Sequence, residues 1–200
     1  MKALWCNPRA FIYFFNLEAE LKTLVIGLGN PILGDDGVGW RVSQELKAST
    51  ELPPEVDVVS LDVSGLSLME ALIGYKKAII IDAIVTHQEP LGKVSCFPLN
   101  ELPNPSSGHL SSTHDTSLQS ALKIGWDLGY ALPDEIIMVA IESQKVYDFS
   151  EELSTAVSAA VPEAVKITRG ILLNNSPQDA SGGEQEKSQH SSTSKENPAG

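Results

Sequence analysis

Two adjacent aspartates in a glycine-rich loop, Asp35 and Asp36, are the residues from which a chemistry can be read. They lie in Gly27-Leu28-Gly29-Asn30-Pro31-Ile32-Leu33-Gly34-Asp35-Asp36-Gly37-Val38-Gly39, directly after an apolar run. A further carboxylate, Asp82, interrupts the aliphatic run Ala78 to Val85, and His114 stands in a polar loop just ahead of a helical stretch. Asp36, Asp82 and His114 are oxygen and nitrogen donors of the kind that suit a hard or borderline divalent metal with an open position. Each also has a plainer explanation. An aspartate in the first turn of a helix is stabilised by the helix dipole, by about 0.3–1 kcal/mol. Asp82 can equally be a buried, hydrogen-bonded carboxylate with no chemistry, because an unpaired ionised one would be costly there. A lone histidine in a loop is commonly just solvated.

These residues meet only if the chain folds in a particular way. Thr23 to Leu28 is aliphatic without alternation, the pattern of a strand buried on both faces of a parallel sheet. A helix is predicted from about Asp36 to Ala48, a second strand at Val56 to Leu61 after Pro53-Pro54, and a short helix through Leu66 to Ile73. Ala78 to Val85 is the third strand. Gly92 to Pro98 alternates and ends in proline, which predicts an edge or antiparallel strand. A helix capped by Thr116 or Ser117, a strand at Asp134 to Ile141 and a helix over Phe149 to Leu173 follow, with Pro162 predicting a kink or break in the last. The expected fold is α/β: three layers, α/β/α, with a mostly parallel twisted sheet of about five strands and one antiparallel edge. In such sheets ligands gather at the carboxyl ends of the strands, so the loops carrying Asp36, Asp82 and His114 share one rim.

Other chemistries lose support. The opening G-x-G of a dinucleotide fingerprint is present, but Ile32 stands where the third glycine belongs, and Asp35 and Asp36 would repel a pyrophosphate. There is neither a P-loop lysine nor a G-x-S-x-G elbow. A formal net charge of -12 argues against a nucleic-acid surface. Cys6 and Cys96 have no metal-ligand or redox spacing and read as reduced thiols, Cys96 as packing. His87, His109 and His190 carry little weight. The 200 residues divide into an N-terminal extension (1–20), one α/β domain (21–173) and a disordered polar tail (174–200). The apolar stretch Ala10 to Phe15 is too short to span a bilayer, which needs about 20 such residues.

The block Gly27-x-Gly29-Asn30-Pro31-x-Leu33-x-Asp35-Asp36-Gly37-x-Gly39, with Asp82-Ala83-Ile84 after an aliphatic strand and Ser112-Thr113-His114-Asp115 beyond, resembles the hydrogenase maturation proteases. The resemblance covers roughly Leu21 to Leu173. It implies a cytoplasmic, monomeric endopeptidase that cuts a short C-terminal extension from the nickel–iron hydrogenase large-subunit precursor once nickel is in place, and so activates that enzyme. It also implies that Asp36, Asp82 and His114 bind the metal, with Asp36 and Asp82 serving catalysis in an aspartyl-type site. Nickel would arrive with the precursor, and no tightly bound organic cofactor, nucleic acid or membrane is expected. Some members carry Glu where this chain has Asp36. Asp35 reads as a cap or support, and the glycines as room for a partner's backbone. Two other readings stand beside this one. Gly27-Leu28-Gly29-Asn30-Pro31 also looks like the opening of peptidyl-tRNA hydrolases, although Gly34-Asp35-Asp36-Gly37 replaces that family's Thr-Arg-His-Asn segment. The domain would alternatively be a non-catalytic metallochaperone that holds the precursor uncut.

Overall fold

The structure is a computed structural model and describes residues 22–48, 52–101, 115–144, 146 and 149–174. His114, His109, His190 and Cys6, together with the extension before residue 21 and the tail beyond 174, lie outside the described residues. Five strands form one sheet: β1 (Thr23–Leu28), β2 (Val56–Leu61), β3 (Lys77–Ile84), β4 (Val94–Pro98) and β5 (Glu135–Glu142). Their order is β2-β1-β3-β5-β4. All neighbours run parallel except β4, which pairs antiparallel with β5 at the edge. That is the place expected of an alternating segment ending in Pro98, because proline has no N–H to give a second neighbour.

The central strands are buried on both faces, which is why they read as unbroken aliphatic runs. Leu24, Ile26, Leu28, Ala78, Ile80, Ile136 and Met138 pack on one side with Leu68 and Met69 of α2 (Gly65–Ala71), with Leu72 just past its end, and with Leu118, Ala121 and Leu122 of α3 (Asp115–Asp127). Val25, Ile79, Ile81, Ile137 and Val139 pack on the other with Val38, Val42 and Leu46 of α1 (Val38–Ala48) and Val157, Val161 and Ala164 of α4 (Thr155–Asn174). The result is the three-layer α/β/α arrangement. Among the described residues, no helix is long and apolar enough to cross a membrane.

Three expectations about helix ends need correction. α3 begins at Asp115, so Thr116 and Ser117 lie inside the helix and not at its cap. α4 begins at Thr155, six residues after Phe149, because Ser150 and Ser154 are hydrogen-bonded to the glycine loop. Of the kink or break expected at Pro162, the break does not occur: the helix runs through it, and the apolar face of Val157, Val161 and Ala164 continues across it into the core. Burial of that face outweighs the hydrogen bond the proline forfeits.

α1 lies unusually close to the sheet at Gly39. A Cβ there would collide with the backbone carbonyl oxygens of Leu28 and Ile81, and one at Gly27 would collide with the Gly39 carbonyl. The backbones these glycines admit are therefore the chain's own, a correction to the expectation that they make room for a partner. Gly39→Ala should lower stability by about 1–3 kcal/mol, the usual cost of overpacking. Urea unfolding would show it as a lower midpoint with an unchanged slope; an unchanged midpoint would mean that α1 can move off the sheet freely.

Candidate active site

The glycine loop leaves the carboxyl end of β1 and turns at Gly29, whose φ of +114° is open to glycine and strained for other residues. A Cβ at Gly29 would also meet the Asp36 carbonyl. The turn brings the chain back on itself, and the Asn30 N–H donates to Asp36 Oδ2 at 2.5 Å. A carboxylate that accepts a backbone N–H is held in one orientation by a charge-assisted bond, of the stronger class of hydrogen bonds. Asn30 does more than this. Its Nδ2 donates to Asp62 Oδ2 at 2.8 Å, just past the end of β2, and its Oδ1 accepts from the Ile32 N–H at 3.1 Å. One side chain thus pins the loop to the neighbouring strand. Asp36 lies half-buried in a short 3-10 turn, Gly34–Gly37, that leads into α1.

Asp82 sits where β3 outruns β1. The last β1–β3 pair is Gly27 with Ile81, and beyond it β3 pairs only with β5, Asp82 lying opposite Ala140. The alternation of side chains places Asp82 on the face of Ala78 and Ile80, the α2/α3 side of the sheet. It is 1% exposed, and its Oδ1 accepts from the Ala83 N–H at 2.8 Å. Asp36 and Asp82 are therefore carried on the carboxyl-end rim of adjacent strands. α3, which follows His114 in sequence, begins on the same face as Asp82. Among the described residues, no three His, Cys, Asp or Glu side chains cluster so as to hold a metal. Two carboxylates on one rim fit a divalent cation in donor type, and a closed site needs further ligands.

Asp35 has a different place from its neighbour. It is fully buried, and its two oxygens accept from the Ser154 N–H at 2.6 Å and the Ser154 hydroxyl at 2.9 Å. Ser154 directly precedes α4, so the helix end that Asp35 supports is α4 and not only the adjacent α1. Two backbone bonds reinforce this tie: Gly34 N–H to the Ser150 carbonyl at 2.7 Å, and Ser150 N–H to the Ile32 carbonyl at 3.0 Å. The consecutive aspartates divide the work, Asp35 fastening the loop to the fold and Asp36 standing at the rim.

Asn30, Ser154 and Glu142 are structural members of this rim that the sequence reading passed over. Glu142 ends β5, is 2% exposed, and accepts from the Thr86 N–H, the Thr86 hydroxyl and the His87 N–H at 2.7–2.9 Å. Its signal is the same as that of Asp82: a carboxylate at the end of an aliphatic strand. With three donors inside the protein it serves to hold the chain after β3. Cys96 is half-buried on β4, and burial pushes its thiol pKa up, partly opposed by Lys77. A thiol kept protonated is a poor nucleophile, in line with a packing role.

The sequence profile of the HycI family, hydrogenase maturation protease, matches residues 40–170, starting just after the glycine block. A protein of Methanocaldococcus jannaschii assigned as a hydrogenase maturation protease is 30% identical over 153 residues, covering 74% of this chain and 95% of its own length. The crystal structure of a hydrogenase 2 maturation peptidase from a Thaumarchaeota archaeon is 30% identical, covers 76% of this chain and 97% of its own, and superposes with a TM-score of 0.55. The hydrogenase maturating endopeptidase HybD of E. coli, 22% identical, shares the fold with a TM-score of 0.66 over 77% of this chain and 93% of its own. On its profile match and its relatives, the chain belongs to the hydrogenase maturation protease family.

Proposed function

We propose that this chain is the endopeptidase that removes the C-terminal extension of a nickel–iron hydrogenase large-subunit precursor after nickel insertion, acting as a cytoplasmic monomer. Nickel belongs to the substrate in this reading and marks a precursor that is ready to be cut. Asp36, Asp82 and His114 would meet it and so bring the scissile bond to the rim. The observation that carries the proposal is the placement of Asp36, held by the Asn30 N–H, on the same rim as the buried Asp82. A carboxylate so oriented can take a proton from a water that attacks the peptide carbonyl, and return it to the leaving amine.

A protease and a metallochaperone differ in one product. Mass analysis of the nickel-loaded precursor after incubation with the chain should give a smaller large subunit and a free peptide. An intact precursor that remains bound to the chain would replace the protease reading with the chaperone one.

A further inference from the structure

A groove starts at the glycine loop and follows the seam between α1 and α4. Its first part, about 270 Å³, is lined by Pro31, Ile32, Gly37, Trp40 and Leu153. A second part, about 410 Å³, shares Arg41, Glu151 and Leu153 with the first and extends to Glu45, Ser158 and Pro162. Pro31 follows Asn30 and Gly37 follows Asp36, so the groove begins one residue from each partner of the bond that orients Asp36.

Four features say what such a groove accepts. Ile32 is 47% exposed at a loop tip where it packs in neither core cluster, and with Trp40 and Leu153 it offers an apolar surface. The charges beside that surface are predominantly negative: Glu45, Glu151 and Glu152 against Arg41, whose guanidinium lies 5.7 Å from the Trp40 ring centre. Pro162 supplies no N–H to the Ser158 carbonyl one helical turn earlier, which removes that acceptor's usual helical partner. Finally, the groove is preformed, because Ser150 and Ser154 tie the segment bearing Glu151 and Leu153 to the loop bearing Ile32. From Thr155 to Pro162, α4 rises about 10 Å, enough for about three residues of extended chain.

We infer that this groove binds, in extended form, the stretch of the client chain that flanks the scissile bond. One apolar side chain lies against Ile32, Trp40 and Leu153, and one basic side chain lies against Glu151 and Glu152. The inference rests on the protease reading above and adds to it the chemistry by which the client is chosen.

The test uses the full chain and the nickel-loaded large-subunit precursor. With the photo-crosslinking residue p-benzoylphenylalanine in place of Ile32, irradiation should join the chain to precursor residues next to the cut, as located by mass spectrometry. The double variant Glu151→Lys, Glu152→Lys, altered at two exposed positions, should raise KM about tenfold and leave kcat unchanged, the pattern of lost ground-state binding. An adduct elsewhere on the precursor, on a second copy of the chain or on the chain's own residues beyond 174 would overturn the inference. So would an unchanged KM in the double variant. Wild-type chain that leaves the precursor uncut would instead defeat the protease reading, so the two failures are distinguishable.

Discussion

Asp36→Asn should process a nickel-loaded precursor about 10²–10⁴-fold more slowly than the wild type, the range associated with loss of a positioned acid–base group. The substitution is nearly isosteric, and the amide oxygen can still accept the Asn30 N–H that now reaches Asp36 Oδ2. What it removes is the negative charge, and an amide oxygen is a far weaker metal ligand and proton acceptor than a carboxylate. The folded state should therefore survive, with an unfolding midpoint close to that of the wild type. Asp36→Glu restores the charge on a longer arm and should recover much of the rate. Full processing by Asp36→Asn, measured as the rate of precursor shortening, would remove Asp36 from the mechanism.

Asp35→Ala should show the reverse balance, a large loss of stability with a smaller effect on turnover per folded molecule. The side chain is fully buried and accepts two hydrogen bonds from Ser154, which would be left with an unpaired N–H beside a cavity. Hydrogen bonds to a charged group contribute about 1.5–3 kcal/mol, and here they join a fully buried carboxylate to a half-buried serine. A loss of about 3 kcal/mol corresponds to about 6–12 °C in Tm for a chain of this size. Calorimetry of Asp35→Ala beside Asp36→Asn would separate the roles of these neighbours. Equal midpoints for both variants would contradict the assignment of Asp35 as the tie between the glycine loop and α4.

The contrast between these aspartates also marks what can be read from a sequence. The strands were legible because burial on both faces of a parallel sheet demands unbroken aliphatic runs, and Val25, Ile79 and Ile137 are among the residues that meet that demand. The edge position of β4 was legible for a complementary reason: Pro98 cannot donate to a second neighbour. Asp82 was legible as a carboxylate either facing the rim from a strand's carboxyl end or buried and hydrogen-bonded, and it lies buried two residues before the end of β3. Ser154, by contrast, binds a residue 119 positions away, and no local pattern announces a partner so remote. The start of α4 was misplaced for the same reason, since the residues before Thr155 follow the demands of the glycine loop and not those of their own helix. The glycines were read as room for a ligand's backbone because their tolerance of close approach is visible in sequence, whereas the identity of the approaching chain is not. Here that chain is α1 against β1 and β3.

The rim itself combines both kinds of information. Sequence places Asp36 in the loop that follows β1 and Asp82 toward the carboxyl end of β3, and the sheet order makes β1 and β3 neighbours. Asn30 then fixes the loop between β1 and β2 through bonds to Asp36, Asp62 and Ile32. A divalent metal presented by a client would meet oriented carboxylates, with little reorganisation to oppose binding.

If cutting depends on nickel carried by the client, intact-mass measurement of two precursor preparations will show it. Nickel-loaded and nickel-free large subunit are incubated separately with the chain and weighed over time. The loaded precursor should lose a C-terminal peptide while the nickel-free one keeps its full mass. Equal shortening of both would contradict recognition through nickel, and no shortening of either would contradict the protease itself.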